Sequence, residues 1–189
     1  EVIREKYPNI PIYDVTTSAI QRAAQETKNE KIGIIGTEAT IASHVYQKEL
    51  MKIRSSFELT EKACPLFVPL AEENRMHTPE TKEIIASYFE PLHQNNIDTL
   101  ILGCTHYPYL ESDMRDYFLD REQTVHFIDT GHEVAIQLKN DLKSNADLRK
   151  KAYSGKEDSF FLTDITPSRI QLAETLFKKE IHFKKAVIG

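Results

Sequence analysis

No apolar run in this chain approaches the roughly 20 residues that a membrane-spanning helix needs, and the opening residues lack the charged-then-apolar order of a secretory signal. The chain therefore reads as cytoplasmic, with no membrane partner. A basic stripe is missing too: 24 Lys and Arg stand against 29 Asp and Glu, and the two signs are interspersed. That balance excludes the electrostatic footprint of a nucleic-acid binder and a polybasic membrane surface. Cysteine is scarce. Cys64 and Cys104 could form one disulfide at most, and in a reducing compartment two free thiols are expected. His77 and His93 bracket a helical stretch and belong to no metal-ligand pattern, so surface or capping roles are expected and no metal. No repeat or low-complexity tract stands out.

What is present is an alternation of short apolar strands and helices, which argues for an α/β fold with open parallel sheets and crossover helices. Strand patterns occur at 9–15, 31–35, 57–60, 99–102, 124–129 and 159–163, the last taken as the final strand. Thr16, Thr17 and Ser18 are placed to cap a helix over 19–28. Further helices are expected at 41–51, at 79–94, after Cys104, from 132 to about 142, and behind the Thr166 cap with Pro167 at its first position. Residues 63–70 carry two prolines and are expected as an extended edge and loop, and 143–158, with Gly155, as a solvated loop.

The chemistry concentrates at Thr99-Leu100-Ile101-Leu102-Gly103-Cys104-Thr105-His106-Tyr107-Pro108. A buried strand ends there in a glycine turn, and Pro108 suits the first turn of a helix. Thiols beside helix N-termini have pKa values lowered from about 8.5 toward neutrality, which makes them usable as bases or nucleophiles. His106 can exchange a hydrogen bond or a proton with such a thiol, and Thr105 offers a hydroxyl and an N–H to an anion. Alternatively Cys104 simply ends the strand as a small buried hydrophobe. A second strand-turn-helix, Gly36-Thr37-Glu38-Ala39-Thr40, gathers hydroxyls and N–H groups in the same way; it suits a carboxylate, or Thr37 and Thr40 merely cap the helix. Cys64, among apolar neighbours, reads as structural.

The Gly-Cys-Thr-His-Tyr-Pro turn resembles the second cysteine motif of bacterial glutamate racemases, in the aspartate/glutamate racemase superfamily. Residues 34–41, Ala63-Cys64-Pro65-Leu66-Phe67-Val68-Pro69-Leu70-Ala71-Glu72-Glu73 and Phe127-Ile128-Asp129-Thr130-Gly131 follow in the family's order. The family's Asp-Ser-Gly and Cys-Asn-Thr turns, the latter bearing its first catalytic cysteine, do not occur, so the sequence resembles the later two-thirds of a racemase. The resemblance implies a two-lobed fold, with one α/β lobe complete at 15–125 and residues 1–14 and 126–189 belonging to the other. It implies cofactor-independent racemization of glutamate for peptidoglycan synthesis by two cysteine bases. Cys104 would serve the L-glutamate face, with His106 and Glu73 assisting and Thr105, Thr37, Thr40 and His106 holding substrate. Glutamate is then the expected partner, and a homodimer the assembly to test. Relatives acting on aspartate, hydantoins or maleate share the fold; aspartate racemases typically carry glutamate where this chain has His106. A non-catalytic binding remnant is the other alternative.

Overall fold

The computed structural model describes residues 2–152 and 158–187, and the chain divides into two compact units, Glu1–Ser144 and Asn145–Gly189. In the first unit the order is α1 (Val2–Lys6), α2 (Val15–Glu26), β1 (Lys31–Gly36), α3 (Glu38–Ala42), α4 (Val45–Ile53) and β2 (Glu58–Ala63). Then come α5 (Phe67–Glu72), α6 (Pro79–Gln94), β3 (Thr99–Leu102), a 3-10 turn (Tyr107–Leu110), α7 (Glu111–Leu119), β4 (His126–Asp129) and α8 (Thr130–Ser144). The four strands form one parallel sheet in the order β2-β1-β3-β4, with Ile35 opposite Leu102, Gly36 opposite Ala63 and Leu102 opposite Asp129. All four therefore end at one edge.

Both faces of the sheet are covered, which is why its central strands read as unbroken apolar runs. Strand alternation sends Ile35, Leu100 and Leu102 to one face, where Phe67, Ile85, Phe89, Leu92, Tyr107 and Phe118 pack on them. Ile32, Ile34 and Ile101 go to the other, against Ala19, Ile20, Ala23, Tyr46 and Leu50. At Gly33 a Cβ would stand 2.6 Å from Ile97 Cδ1, so a glycine there lets the α6–β3 connection lie close on β1. No helix among the described residues is long and apolar enough to cross a membrane.

Several local expectations change. Helix α2 starts at Val15 rather than 19, because Asp14 is its cap: the Asp14 carboxylate accepts from Thr17 N at 2.8 Å and from the Thr17 hydroxyl at 2.9 Å, and Arg4 pairs with it. Residues 9–14 form no strand. The expected helix over 41–51 is two helices, broken where His44 takes a left-handed backbone, φ 50°. Residues 67–72 are helical despite Pro69, since the N–H that Pro69 lacks falls in the first turn, where it would have no intrahelical acceptor. An α-helix does not start directly after Cys104; the 3-10 turn intervenes, so Glu111 rather than Pro108 opens α7.

The second unit holds α9 (Ala146–Lys151), β5 (Phe160–Leu162), α10 (Pro167–Phe177) and β6 (Phe183–Lys185). Asn145 caps α9 where a loop was expected, accepting from Leu148 N at 2.9 Å; residues 153–157, with Gly155, lie outside the described residues. Strand β5 is not the last, for β6 pairs with it in parallel, and Phe160 packs edge-on to Phe177 and Phe183. Thr166 caps α10 and Pro167 opens it, as expected.

At the amino edge of the sheet Asp98 ties the segment that follows α2 to the start of β3. Its carboxylate accepts from the Thr27 hydroxyl (2.7 Å), Lys28 N (2.6 Å), Asn29 N (2.8 Å) and the Thr99 hydroxyl (2.9 Å). Burial alone would raise its pKa, but these donors, Thr27 foremost, hold it below the ordinary carboxylate value. A carboxylate whose folded pKa is lowered stabilises above its unfolded value, about 3.9, and loses that contribution as the pH falls through the folded value. Asp98→Ala is expected to cost about 2 kcal/mol in urea unfolding at pH 7, with the difference from wild type shrinking in acid below about pH 4.

Candidate active site

The carboxyl edge of a parallel α/β sheet is where ligands bind in such folds, because helix N-termini and backbone N–H groups converge there. Here it collects the turns after β1, β2, β3 and β4. Gly103 brings two of them into contact. Its N–H donates to Ile35 O at 2.8 Å, and a Cβ on it would meet that oxygen at 2.8 Å and Ile34 Cδ1 at 2.9 Å. Only glycine lets the Cys104 turn approach the end of β1 this closely. Thr40 Cγ2 stands 3.6 Å from the same point, and the Thr130 hydroxyl donates to Leu102 O at 3.2 Å, drawing in the turn that opens α8.

Cys104 is half-buried, and its Sγ lies 4.0 Å from His106 Nδ1. The Thr105 hydroxyl is 3.5 Å from the same nitrogen. On the other side of the ring, His106 Nε2 is 3.3 Å from Glu72 Oε1. The histidine side chain keeps 28% of its surface exposed and Glu72 57%, so the pair opens to solvent at the sheet edge. A thiol, an imidazole and a carboxylate thus stand in series. Hydrogen bonds of catalytic groups are commonly long before substrate is bound and tighten in the complex.

Glu73 was the carboxylate expected at His106; the geometry gives that contact to Glu72. Because 67–72 is helix rather than loop, the two glutamates point about 100° apart, and Glu73 follows the helix end, its backbone N–H donating to Pro69 O at 2.9 Å. A helical reading of the proline-bearing segment would have separated the two. Thr37 and Thr40 meet each other: Thr37 Oγ1 accepts from Thr40 N at 3.3 Å, and the hydroxyls are 3.0 Å apart, so both engage in capping α3. Among the described residues no three His, Cys, Asp or Glu side chains are grouped to hold a metal ion.

Sequence reasoning missed Tyr107 as a structural tie. It is buried, its phenol donates to Cys64 O at 2.9 Å, and its ring packs edge-on to Phe67 at 5.2 Å. This seats the α5 segment on the Cys104 turn. Burial pushes the Tyr107 phenol far above its usual range and the Cys64 thiol up to about 12, so both stay neutral. Both cysteines are free, and Cys64 is fully buried. Iodoacetamide at pH 8 is expected to alkylate Cys104 and leave Cys64 untouched until denaturant is added, which peptide mass spectrometry will read directly.

Residues 1–138 match the family described as Asp/Glu/Hydantoin racemase. A glutamate racemase from Persephonella marina is 36% identical over 185 residues, covering 98% of this chain and 66% of the relative. One from Aquifex pyrophilus is 33% identical over 182 residues, covering 96% and 66%. The chain thus spans just under two thirds of the length of these curated relatives. Among solved structures, glutamate racemase from Francisella tularensis in complex with D-glutamate superposes with a TM-score of 0.84 at 27% identity, over 98% of this chain and 67% of that one. A glutamate racemase isoform from Bacillus anthracis gives 0.84 at 29% identity, over 99% and 68%. With the family match covering most of the sequence and the solved racemases sharing its fold, the chain belongs to the Asp/Glu/Hydantoin racemase family.

Proposed function

We propose that the protein inverts the α-carbon of glutamate without a cofactor, using one base on each face, and that Cys104 is the base for the L-glutamate face. The observation that carries this reading is the Cys104–His106–Glu72 series at the carboxyl edge of the sheet. Removing a weakly acidic Cα proton needs a base whose pKa lies near working pH, and a thiolate has that property. A hydrogen on Nε2 directed at Glu72 leaves the Nδ1 lone pair facing the thiol, so His106 can take the Sγ proton and return it. The negative charge that builds beside the substrate carboxylate is offset by N–H and hydroxyl donors, for which Thr105, Thr37 and Thr40 are the proposed source. Resemblance to the racemases assigns the opposite-face thiol to the third of the relatives that this sequence does not span.

In the whole protein, residues 15–125 are proposed as one complete lobe, with 1–14 and 126–189 contributing to the other, the reaction serving peptidoglycan synthesis in the cytoplasm. A homodimer is the assembly to test by light scattering. The activity is tested by incubating L- and D-glutamate, with L-aspartate as control, in D2O and following the Cα–H signal by NMR. The whole protein is expected to exchange and racemize both glutamate enantiomers and to leave aspartate intact. This chain alone is expected to exchange the L-enantiomer at most, and sustained racemization by it would refute the two-thiol requirement.

A further inference from the structure

Helix α5 has only six residues, yet it presents Glu72 to His106 from its last position. Both residues of that pair are partly exposed, and exposed ion pairs hold geometry poorly by themselves. What surrounds them is better fixed. At the leading end of α5, the buried Tyr107 hydroxyl donates to Cys64 O. Beyond its trailing end the chain turns through Asn74 and His77, both left-handed with φ 55° and 63°. There Asp113, whose side chain has no exposed surface, takes His77 N to Oδ2 and His77 Nδ1 to Oδ1, each at 3.1 Å. The Thr78 and Thr81 hydroxyls close the same turn on Arg75 O at 3.1 and 2.7 Å.

Both anchors, Tyr107 and Asp113, belong to the stretch that carries His106 itself. A short helix flanked on both sides by segments bonded to the stretch that bears its partner cannot shift far without straining those bonds. We infer that Asp113, acting through His77, is a positioning residue that sets Glu72 against His106, with Tyr107 as the matching anchor at the other end. The inference rests on the proposed role of the His106–Glu72 pair in the reaction. Removing one partner of a buried, hydrogen-bonded pair costs stability whatever its role, so stability alone does not separate a structural carboxylate from a positioning one. Turnover and the state of the His106 ring in a folded variant do.

The test is Asp113→Leu in the whole protein, which removes both bonds while keeping the volume filled, compared with Asp113→Asn, which retains an acceptor for His77 N. Two readouts are followed: kcat and KM for glutamate, and the His106 tautomer in long-range 1H–15N spectra. With Asp113→Leu, kcat is expected to fall on the order of 10²-fold, as a misplacement of about 1 Å can cost, with KM within about twofold. The Nε2–H tautomer preference of His106 is lost in the same variant, and Asp113→Asn restores most of both. Should Asp113→Leu fail to fold, His77→Gly carries the test, since glycine accepts the left-handed backbone and only the imidazole is removed; a smaller change of the same kind is expected. A folded variant of either kind that keeps both the wild-type tautomer and wild-type kcat overturns the inference. Failure of the catalytic reading looks different: Glu72→Ala would then change the tautomer while leaving turnover as it was.

Discussion

Cys104→Ala is expected to abolish deuterium exchange at the α-carbon of L-glutamate, a loss of at least about 10³-fold, because the base that removes the proton is gone. The fold should survive the change. Cys104 is half-buried, its Sγ approaches His106 Nδ1 only to 4.0 Å, and Gly103 and Tyr107 nearby hold the turn without it. Circular dichroism and urea unfolding that match wild type would establish that chemistry alone has been removed. Cys104→Ser is expected to behave like alanine, since a hydroxyl stays protonated near neutral pH and cannot replace a thiolate as base. Exchange persisting near the wild-type rate in either variant would remove Cys104 from the mechanism.

Glu72→Gln is expected to lower kcat about 10²-fold with the protein fully folded. In serine-hydrolase triads the corresponding acid-to-amide change acts by leaving the imidazole in the wrong tautomer, and the same logic applies to His106 here. The loss is set below the roughly 10⁴-fold of those triads because Glu72 is largely exposed, so water can partly replace it. Glu73→Gln is the informative companion. Its backbone ends α5, and no more than about a threefold effect is expected if positioning of the ring is the term that matters. Steady-state kinetics of the two variants side by side decide which glutamate acts on His106; equal losses, or a larger one at Glu73, would return the role to the residue that family spacing suggested.

The alternation of strands and helices was legible from the chain because each buried strand carries apolar residues toward both faces, and Thr99–Leu102 and Lys31–Gly36 could be read with little help. Helix 79–94 was legible for a related reason: Ile85, Phe89 and Leu92 recur at helical spacing and all three are buried. Segments governed by backbone detail were not. Pro69 looks like a helix breaker until its place in the first turn is known, and His44 carries no signal for the left-handed kink that splits α3 from α4. Residues 9–15 have a strand's pattern but no neighbour to pair with among the described residues, and a strand cannot form alone.

By itself the sequence grouped a glycine, a thiol, a hydroxyl and an imidazole on one turn at the end of a buried strand, since they are contiguous there and local spacing suffices. It also determined that Cys64 is structural, because its apolar setting is written into its neighbours. Only the tertiary structure decided that Glu72 rather than Glu73 meets His106, and that Tyr107 and Asp113 bond the segments on either side of α5. Those contacts join residues more than 30 positions apart, or depend on a rotation of about 100° between adjacent side chains on a helix. Long-range approach and rotational phase are products of packing against a shared sheet, and neither leaves a trace in local order.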